Sequence, residues 1–360
     1  MAHLFEPLKL RDIVLTNRLG MPPMCQYSAH DGMAADWHFV HYGSRAVGGV
    51  GLMIIEATAV TPEGRISLGD LGIWDDKQIE PLARIARFSK EQDCVAVIQL
   101  AHAGRKASVR MGWQEQGALS ETEGGWTAVA PSPVSFGEGY AVPIELDKAG
   151  ILHVIAQFKA SARRARDAGF QAVEIHSAHG YLLHQFLSPL SNRRTDIYGG
   201  SFDNRTRLVR EVVAAVRAEW PERLPLLVRL SATDWVNGGW NADETVELCR
   251  VLKGLGVDLV DVSSGGLVPT AKIPTGPGFQ TEFAARVRSE AGVATAAVGL
   301  ITSPAQADHI IRTGQADMVL VGREILRNPY WPLGAAQTLG QAVSWPPQYL
   351  RAAPSGSTGR

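Results

Sequence analysis

The chain has 360 residues, with 35 Lys and Arg against 36 Asp and Glu, and a formal net charge of -1. This balance argues against a nucleic-acid-binding protein, which normally carries a basic excess on one face. The three cysteines, Cys25, Cys94 and Cys249, show neither a disulfide framework nor the spacing of a zinc or iron–sulfur site. The amino-terminal segment is interrupted by charges and has no apolar run typical of a signal core or a membrane span. We therefore expect a cytoplasmic protein with small-molecule partners, and with no membrane or nucleic-acid partner.

Strand and helix patterns alternate along the chain after an amino-terminal hairpin over residues 8–17. The second strand pattern, VGLMIIEATAV, is apolar on both faces, which is typical of a parallel strand covered on each side. Eight strand–helix alternations favour closure into a (β/α)8 TIM barrel of the α/β class rather than an open sheet. The strands are predicted at 18–28, 50–60, 94–104, 171–178, 224–232, 257–266, 294–300 and 316–323.

Two local predictions concern the first strand and the first helix. Pro22 and Pro23 are expected to stop the strand at Met24 and Cys25, because proline has no N–H for a strand ladder. Asp36 is predicted as the amino cap of the helix that follows.

Two longer segments depart from the alternation. Residues 106–146 are rich in Gly, Trp, Pro and Ser and are too long for an ordinary connection, which indicates an excursion after the third strand over the active face. The Ser/Gly-rich end of the chain favours disorder. We therefore predict a single barrel domain over 1–350, with the hairpin as its lid, and a partly disordered tail over 351–360.

The fourth strand carries the most reactive side chains. It delivers His176, His179 and Tyr181 within six residues, at the carboxyl end where barrel active sites form. Two imidazoles can polarise a carbonyl oxygen or hold a metal, and a phenol can supply a proton. Hydrogen-bonded packing is the alternative without a functional role. A metal site would need a third ligand, and this segment offers none after Glu174.

The last two strands end in glycine turns that lead into helices, at Gly299 and at Gly322–Arg323. Backbone amides at such turns can hold a phosphate, so we expect a phosphorylated ligand. The fifth strand carries Arg229, which could instead form an ion pair with Glu174 on the neighbouring strand.

Several segments in this order match one family. They are PPMCQY at 22–27, EATAV at 56–60 followed by Gly64 and Arg65, QLAHAGRKA at 99–107, HSAHGYLLHQFLSPLSNRRTDIYGGS at 176–201, and VGR at 321–323. Together they resemble the old yellow enzymes, which are flavin-dependent ene-reductases, and more narrowly their thermophilic-like class. The resemblance covers essentially the whole chain. Phe202–Asp203 departs from the pattern, since many relatives carry Glu before the Asn-Arg pair.

The resemblance implies a non-covalent FMN cofactor that takes hydride from NADPH or NADH and reduces electron-poor alkenes, such as α,β-unsaturated carbonyl and nitro compounds. It implies that His176 and His179 bind the activating oxygen, that Tyr181 protonates the α-carbon, and that Tyr27 lines the substrate pocket. No metal is implied. The implied FMN contacts are Pro22, Pro23, Met24, Cys25, Ala57, Gln99, Arg229, Ser263, Gly265, Gly299, Gly322 and Arg323.

The resemblance also implies a homodimer or a higher homo-oligomer. The segment WPPQYLRAA resembles the tail that sends an arginine, here Arg351, into a partner subunit's active site. A solvated terminus is the alternative. Two other functions remain open from the residues: a metal-dependent barrel lyase or isomerase, and a flavin- or phosphate-binding barrel without activity. His102 and His184 are expected to lie on helices or behind the site.

Overall fold

A closed barrel of eight parallel strands forms the centre of the computed structural model, which describes residues 3–359. Helices connect most successive strands, so the predicted (β/α)8 barrel is confirmed. The barrel comprises β3, β4, β5 and β8 to β12, and β6 and β7 form a separate two-stranded pair. The strands are β1 (Leu8–Leu10), β2 (Ile13–Leu15), β3 (Leu19–Met21), β4 (Leu52–Ala59), β5 (Val95–Ala101), β6 (Val129–Ala130), β7 (Ile144–Glu145), β8 (Ala172–Ser177), β9 (Leu226–Ser231), β10 (Leu259–Ser263), β11 (Ala294–Ala297) and β12 (Met318–Leu320).

The helices pack an apolar stripe against the outside of the barrel, and several begin at a side chain that caps the first turn. Asp147, Ser201 and Asn241 each accept a hydrogen bond from a backbone N–H of the helix that follows. The helices are α1 (Asp36–Val47), α2 (Ile79–Glu91), α3 (Lys148–Asp167), α4 (Leu182–Leu187), α5 (Phe202–Glu219), α6 (Ala242–Gly254), α7 (Thr281–Ala291), α8 (Pro304–Arg312), α9 (Arg323–Arg327) and α10 (Trp331–Thr338). Within residues 3–359 no helix combines the length and apolar character needed to cross a membrane.

The amino-terminal hairpin closes one end of the barrel. Its strands β1 and β2 pair antiparallel, with Leu8 opposite Leu15. Leu10 and Leu15 are buried in a cluster with apolar residues from the amino-terminal halves of the barrel strands. The hairpin therefore covers the end opposite the one where barrel active sites form.

The excursion between β5 and α3 covers the other end. It contains the β6–β7 pair, and its Val109 and Ala128 pack with Ala103 against Tyr181. The predicted position of this segment, over the carboxyl ends of the strands, is confirmed.

Two local predictions are wrong. The first barrel strand ends at Met21, before Pro22, because proline cannot donate to the ladder at that position. Ala35, rather than Asp36, is the amino cap of α1, and its N–H donates to His38 Nδ1 at 3.0 Å. Asp36 lies in the first turn, where a carboxylate favours the positive end of the helix dipole.

Candidate active site

About halfway along β8 and β9, polar and charged side chains replace apolar ones in the barrel interior. On β8 the inward-facing series runs from Ala172, in the apolar cluster, through Glu174 to His176. The neighbouring strand β9 changes in the same way, from Leu227 to Arg229. The carboxyl half of the barrel is therefore lined with groups that can bind and react.

The two predicted imidazoles and the phenol come together at the end of β8. The ring centroids of His176 and His179 lie 5.3 Å apart, and those of His176 and Tyr181 lie 5.0 Å apart, each pair edge to face. Ala178 N–H donates to His176 Nδ1 at 3.3 Å, so the proton of the neutral His176 ring is on Nε2. His179 Nε2 lies 2.8 Å from Ser263 Oγ. The structure thus brings these three side chains together at one strand end.

Burial sets the protonation of all three groups. It lowers the pKa of both imidazoles well below the ordinary value, and the guanidinium of Arg229 lowers it further. Burial also raises the pKa of the Tyr181 phenol well above its ordinary value, with help from Cys25 and Tyr27. Near neutral pH the cluster therefore presents two uncharged imidazoles and a protonated phenol.

A partly buried lysine outside the predicted site residues, Lys106, supports this cluster. Lys106 Nζ donates to His179 O at 2.9 Å and to Gly266 O at 3.2 Å, and it lies 4.9 Å from the centroid of the Tyr181 ring. Burial, followed by the charge of Arg105, lowers the pKa of Lys106 to about 8. Two adjacent cations directly after a buried strand were the sequence signal that could have identified it.

A second residue outside the predictions is Glu56, at the bulge of β4. Its Oε1 accepts from Gln26 N at 2.9 Å and its Oε2 accepts from Tyr42 Oη at 2.7 Å. Burial raises the pKa of Glu56 to about 8. Glu56 thereby holds the turn on which Cys25 and Tyr27 lie.

The buried ionisable side chains near the imidazoles do not form the ion pair between Glu174 and Arg229 that was considered from the sequence. Glu174 does not pair with Arg229, because the strand register places Glu174 beside Gln99 and Arg229 beside Asp261. Gln99 Nε2 donates to Glu174 Oε1 at 2.8 Å, and Arg229 Nε lies 2.8 Å from Asp261 Oδ2. Burial and Asp261 raise the pKa of Glu174, which therefore tends to keep its proton.

A cavity of about 390 Å³ opens beside this cluster. Pro22, Pro23, Met24, Arg229, Ser263, Gly299, Gly322 and Arg323 line it, which accounts for eight of the twelve predicted FMN contacts. Further lining residues include Phe279, Gln280 and Leu300. Three guanidinium groups, those of Arg229, Arg323 and Arg327, together with apolar lining residues suit a planar ligand that carries an anionic group. The donor set and the shape of this cavity therefore fit FMN.

The other four predicted contacts are not among the residues that line this cavity. Gln99 is buried, and its amide nitrogen donates to Glu174 Oε1. Ala57 and Tyr181 line a much smaller space next to the cluster. Gly265 has a φ of +71°, and a Cβ there would come within 2.7 Å of Ile273.

Cys25, Tyr27 and Arg351 complete the predicted residues. Burial, together with Asp70 and Glu56, raises the pKa of the Cys25 thiol well above its ordinary value, so it stays protonated. Tyr27 adopts a left-handed φ of 48°, and its ring meets the exposed Trp113 of the excursion at 5.6 Å. Arg351 is exposed in the short turn of 3₁₀ helix over Pro347–Ala352.

The metal alternative has little support in the donor groups. Among residues 3–359 there is no cluster of three or more His, Cys, Asp or Glu side chains that could hold a metal ion. Glu174, the nearest carboxylate on β8, is engaged with Gln99.

The model of the NADH:flavin oxidoreductase / NADH oxidase family matches residues 3–341. The chain belongs to this family. An NADPH dehydrogenase of Listeria innocua serovar 6a is 48% identical over 354 residues, which cover 98% of this chain and 99% of the relative. The chain is thus an NAD(P)H-dependent flavin oxidoreductase with FMN as its flavin, and the resemblance to the old yellow enzymes is confirmed.

Solved structures agree with this assignment. Morphinone reductase in complex with tetrahydroNAD superposes with a TM-score of 0.78 at 27% identity, covering 97% of this chain and 94% of that one. An old yellow enzyme homologue from Zymomonas mobilis superposes with a TM-score of 0.79 at 24% identity, covering 98% and 99% of the two chains. The second likeness supports the fold alone.

Proposed function

We propose that this flavoprotein is an ene-reductase that reduces the activated C=C bond of α,β-unsaturated carbonyl or nitro compounds. The observation that carries the proposal is the meeting of His176, His179 and Tyr181 at the end of one strand, beside a cavity that fits FMN. Two neutral imidazoles and a protonated phenol are the groups that such a reduction needs from the protein.

Residues from several strands would hold the cofactor. Arg323 and the backbone of Gly299 and Gly322 suit the phosphate, while Arg229 and Gln99 suit the polar edge of the flavin ring. Bound FMN would supply hydride, received from NADPH or NADH, to the β-carbon of the alkene.

The protein's own groups act on the rest of the substrate. The Nε2–H of His176 and an N–H of His179 donate to the carbonyl or nitro oxygen, which draws electron density away from the β-carbon. As the β-carbon gains hydride, negative charge develops on that oxygen, where the two donors stabilise it. Tyr181 then gives its phenolic proton to the α-carbon and is reprotonated from solvent, so the alkene gains one hydride and one proton.

A spectroscopic titration tests this oxygen site. A phenolate such as that of 4-hydroxybenzaldehyde should bind the oxidised holoenzyme with its oxygen between the two imidazoles and produce a long-wavelength charge-transfer band. His176→Ala should weaken this binding by about tenfold or more, because one donor to a charged oxygen is lost. Equal affinities of the wild type and the variant, or no NADPH-dependent reduction of 2-cyclohexenone, would count against the proposal.

We also propose a homodimer in which Arg351 reaches the partner's substrate pocket. Its support is the exposure of Arg351 in the turn over Pro347–Ala352, where Tyr349 Oη lies 3.3 Å from Tyr330 Oη. Light scattering should give twice the chain mass, and Arg351→Ala should raise KM with little change in flavin content. A monomer, or an unchanged KM, would contradict the two parts of this proposal.

We infer a cytoplasmic location because the three cysteines show no disulfide framework in the sequence, and Cys25 and Cys249 are free thiols. Cell fractionation tests it: recovery of the protein with extracytoplasmic markers would refute it.

A further inference from the structure

The turn that carries His179 and Tyr181 has an unusual backbone. His179 and Gly180 are both left-handed, with φ of 57° and 73°. Such a conformation is unfavourable for a residue with a side chain and persists only where the surroundings enforce it. The turn is also tightly packed, because a Cβ on Gly180 would come within 2.2 Å of Gly266 O.

An imidazole behind the turn holds its central amide. Gly180 N–H donates to Nδ1 of His184, one turn further along the chain in α4, at 2.9 Å. Because Nδ1 accepts, the proton of a neutral His184 ring must be on Nε2. A doubly protonated ring would direct a second N–H against the N–H of Gly180.

A buried carboxylate faces the other side of this ring. His184 Nε2 lies 2.9 Å from Asp234 Oδ1, and both side chains are fully buried. Asp234 Oδ2 accepts from Ser188 Oγ at 2.6 Å and from Trp240 N at 2.8 Å. Burial alone would raise the pKa of Asp234, but the contact with His184 and these donors outweigh it and leave the pKa below its ordinary value. Asp234 is therefore a fixed acceptor.

We propose that Asp234 and His184 are positioning residues for catalysis. Asp234 selects the Nε2–H tautomer of His184, and the bare Nδ1 of that tautomer fixes the Gly180 amide and thus the aim of His179 and Tyr181. The inference rests on the proposed function for the roles of these last two residues. Neither Asp234 nor His184 lines the FMN cavity.

A second histidine provides a comparison within the molecule. His102 Nδ1 accepts from Gly104 N at 3.1 Å, and Gly104 is also left-handed, with a φ of +60°. However, no carboxylate oxygen lies within ion-pair distance of His102 among the described residues, whereas Asp234 Oδ1 lies 2.9 Å from His184 Nε2. The same acceptor pattern thus occurs twice, and a carboxylate is in ion-pair contact with the ring only behind the turn that carries Tyr181.

The variant Asp234→Asn keeps the size and shape of the side chain but removes its charge and changes which atoms can accept a hydrogen bond. If the Asn carbonyl keeps the bonds from Ser188 and Trp240, its NH2 group faces His184 Nε2, which must then be the acceptor. The ring proton moves to Nδ1 and opposes Gly180 N–H. If the amide flips instead, Trp240 N loses its acceptor. The first arrangement is favoured, because the flipped amide would leave the buried Trp240 N–H without an acceptor. In the first arrangement the hydrogen bond from Gly180 N to His184 is lost and the turn is no longer held.

The pair His184→Asn and His184→Gln supplies the matched control. Asn places its amide oxygen near the position of Nδ1, so it can still accept from Gly180 N. Gln reaches instead toward the position of Nε2 and leaves the Gly180 amide without an acceptor. A merely space-filling role for His184 would favour neither variant in this way.

The experiment uses the holoenzyme labelled with ¹⁵N-histidine and observes the ring nitrogens by long-range ¹H–¹⁵N spectra. The His184 signal, identified by its absence in His184→Asn, should report protonated Nε2 in the wild type and protonated Nδ1 in Asp234→Asn. The same samples are titrated with 4-hydroxybenzaldehyde and assayed for flavin reduction by NADPH and reoxidation by 2-cyclohexenone.

We expect Asp234→Asn and His184→Gln to weaken phenol binding and slow reoxidation by about tenfold or more, with flavin reduction unchanged. His184→Asn should recover most of both losses. A wild-type ring protonated on Nδ1, or equal behaviour of the two His184 variants, would overturn the inference. If Asp234→Asn fails to fold, the His184 pair decides. If the wild type binds no phenol and reduces no enone, the proposed function fails, while the ring spectrum still decides the tautomer.

Discussion

The two ends of the barrel interior are built from the same strands and serve opposite purposes. At the amino-terminal end, Leu52, Val97, Leu227 and Leu259 form one buried apolar cluster under the hairpin. One or two pleats further along, the same strands present polar groups, such as Gln99 and Asp261. Four residues with side chains, Tyr27, His179, Trp235 and Leu300, take left-handed φ values in turns after barrel strands at the carboxyl end.

This difference shows how one scaffold separates stability from chemistry. Burial of apolar side chains at the amino-terminal end contributes free energy of folding without polar cost. The carboxyl end carries strained turns and buried charges, which cost free energy and are kept because they orient donors. Changes at the first end should therefore alter stability, and changes at the second should alter rates.

The largest effect is expected at the carboxyl end, from Tyr181→Phe. Removing the proton donor should slow reoxidation of the reduced flavin by an enone about 10²- to 10⁴-fold, while reduction by NADPH stays unchanged. Anaerobic stopped-flow measurement of the two half-reactions checks this. Tyr198→Phe, which removes a phenol that donates to Glu211 at 3.0 Å away from the site, is the control. Equal reoxidation rates for Tyr181→Phe and wild type would refute the proton-donor role.

A purely structural effect is expected at the amino-terminal end, from Leu227→Ala. Leu227 is 1% exposed, so the truncation should leave a cavity and lower the free energy of unfolding by about 2–5 kcal/mol. Denaturant titration with flavin and circular dichroism signals checks this. The exposed Leu152 on α3 supplies the control, since Leu152→Ala should change stability little. A large loss of kcat in folded Leu227→Ala would contradict the view that the amino-terminal end of the barrel contributes to stability and not to catalysis.

Lys106 should make the carboxyl end sensitive to pH. Because burial lowers its pKa from 10.5 to about 8, the folded protein binds fewer protons than the unfolded chain between those values. Wild-type stability relative to Lys106→Met should therefore rise as pH increases from about 8 to 10.5, by about 1–3 kcal/mol. Urea titrations across this range test the sign, with the exposed Lys159→Met as control. A difference that stays flat or falls with pH would contradict the burial of this charge.

The smallest effect is expected outside the barrel interior. Arg84 Nη1 lies 3.2 Å from Asp36 Oδ1, but the two side chains are 51% and 92% exposed. Solvent screens such a pair, so Asp36→Asn should cost less than about 1 kcal/mol and less still at high salt. Thermal unfolding at two salt concentrations checks this. A cost comparable to that of Leu227→Ala would mean that surface charges, too, carry the stability of the fold.

The sequence predicted the fold because strand patterns that are buried on both faces alternate with helix patterns, and some strands become polar toward the carboxyl end, as β8 does from Val173 to His176. It also brought the residues of that strand end together with Arg229, since parallel strands in a barrel end in one place. The proposed contacts beside the cavity, such as Met24 and Arg323, came from the family motifs.

The pairing of buried charges could not be predicted. Whether Arg229 meets Glu174 or Asp261 depends on strand register, and a shift of one residue reverses which side chains face each other. The partners of Lys106 and Asp234 could not be predicted for a similar reason, because His179 and His184 lie more than 40 residues away from them in the chain. Nothing local marks such partners.

In the proposed reaction, one alkene carbon gains hydride from the reduced flavin and the other gains a proton from Tyr181. This reaction is tested most directly by isotope labelling of the product from 2-cyclohexenone. With NADPH deuterated at C4 of the nicotinamide, deuterium should appear at the β-carbon, and with ordinary NADPH in deuterium oxide it should appear at the α-carbon. An untouched C=C bond, or solvent deuterium at the β-carbon with none at the α-carbon, would contradict the account.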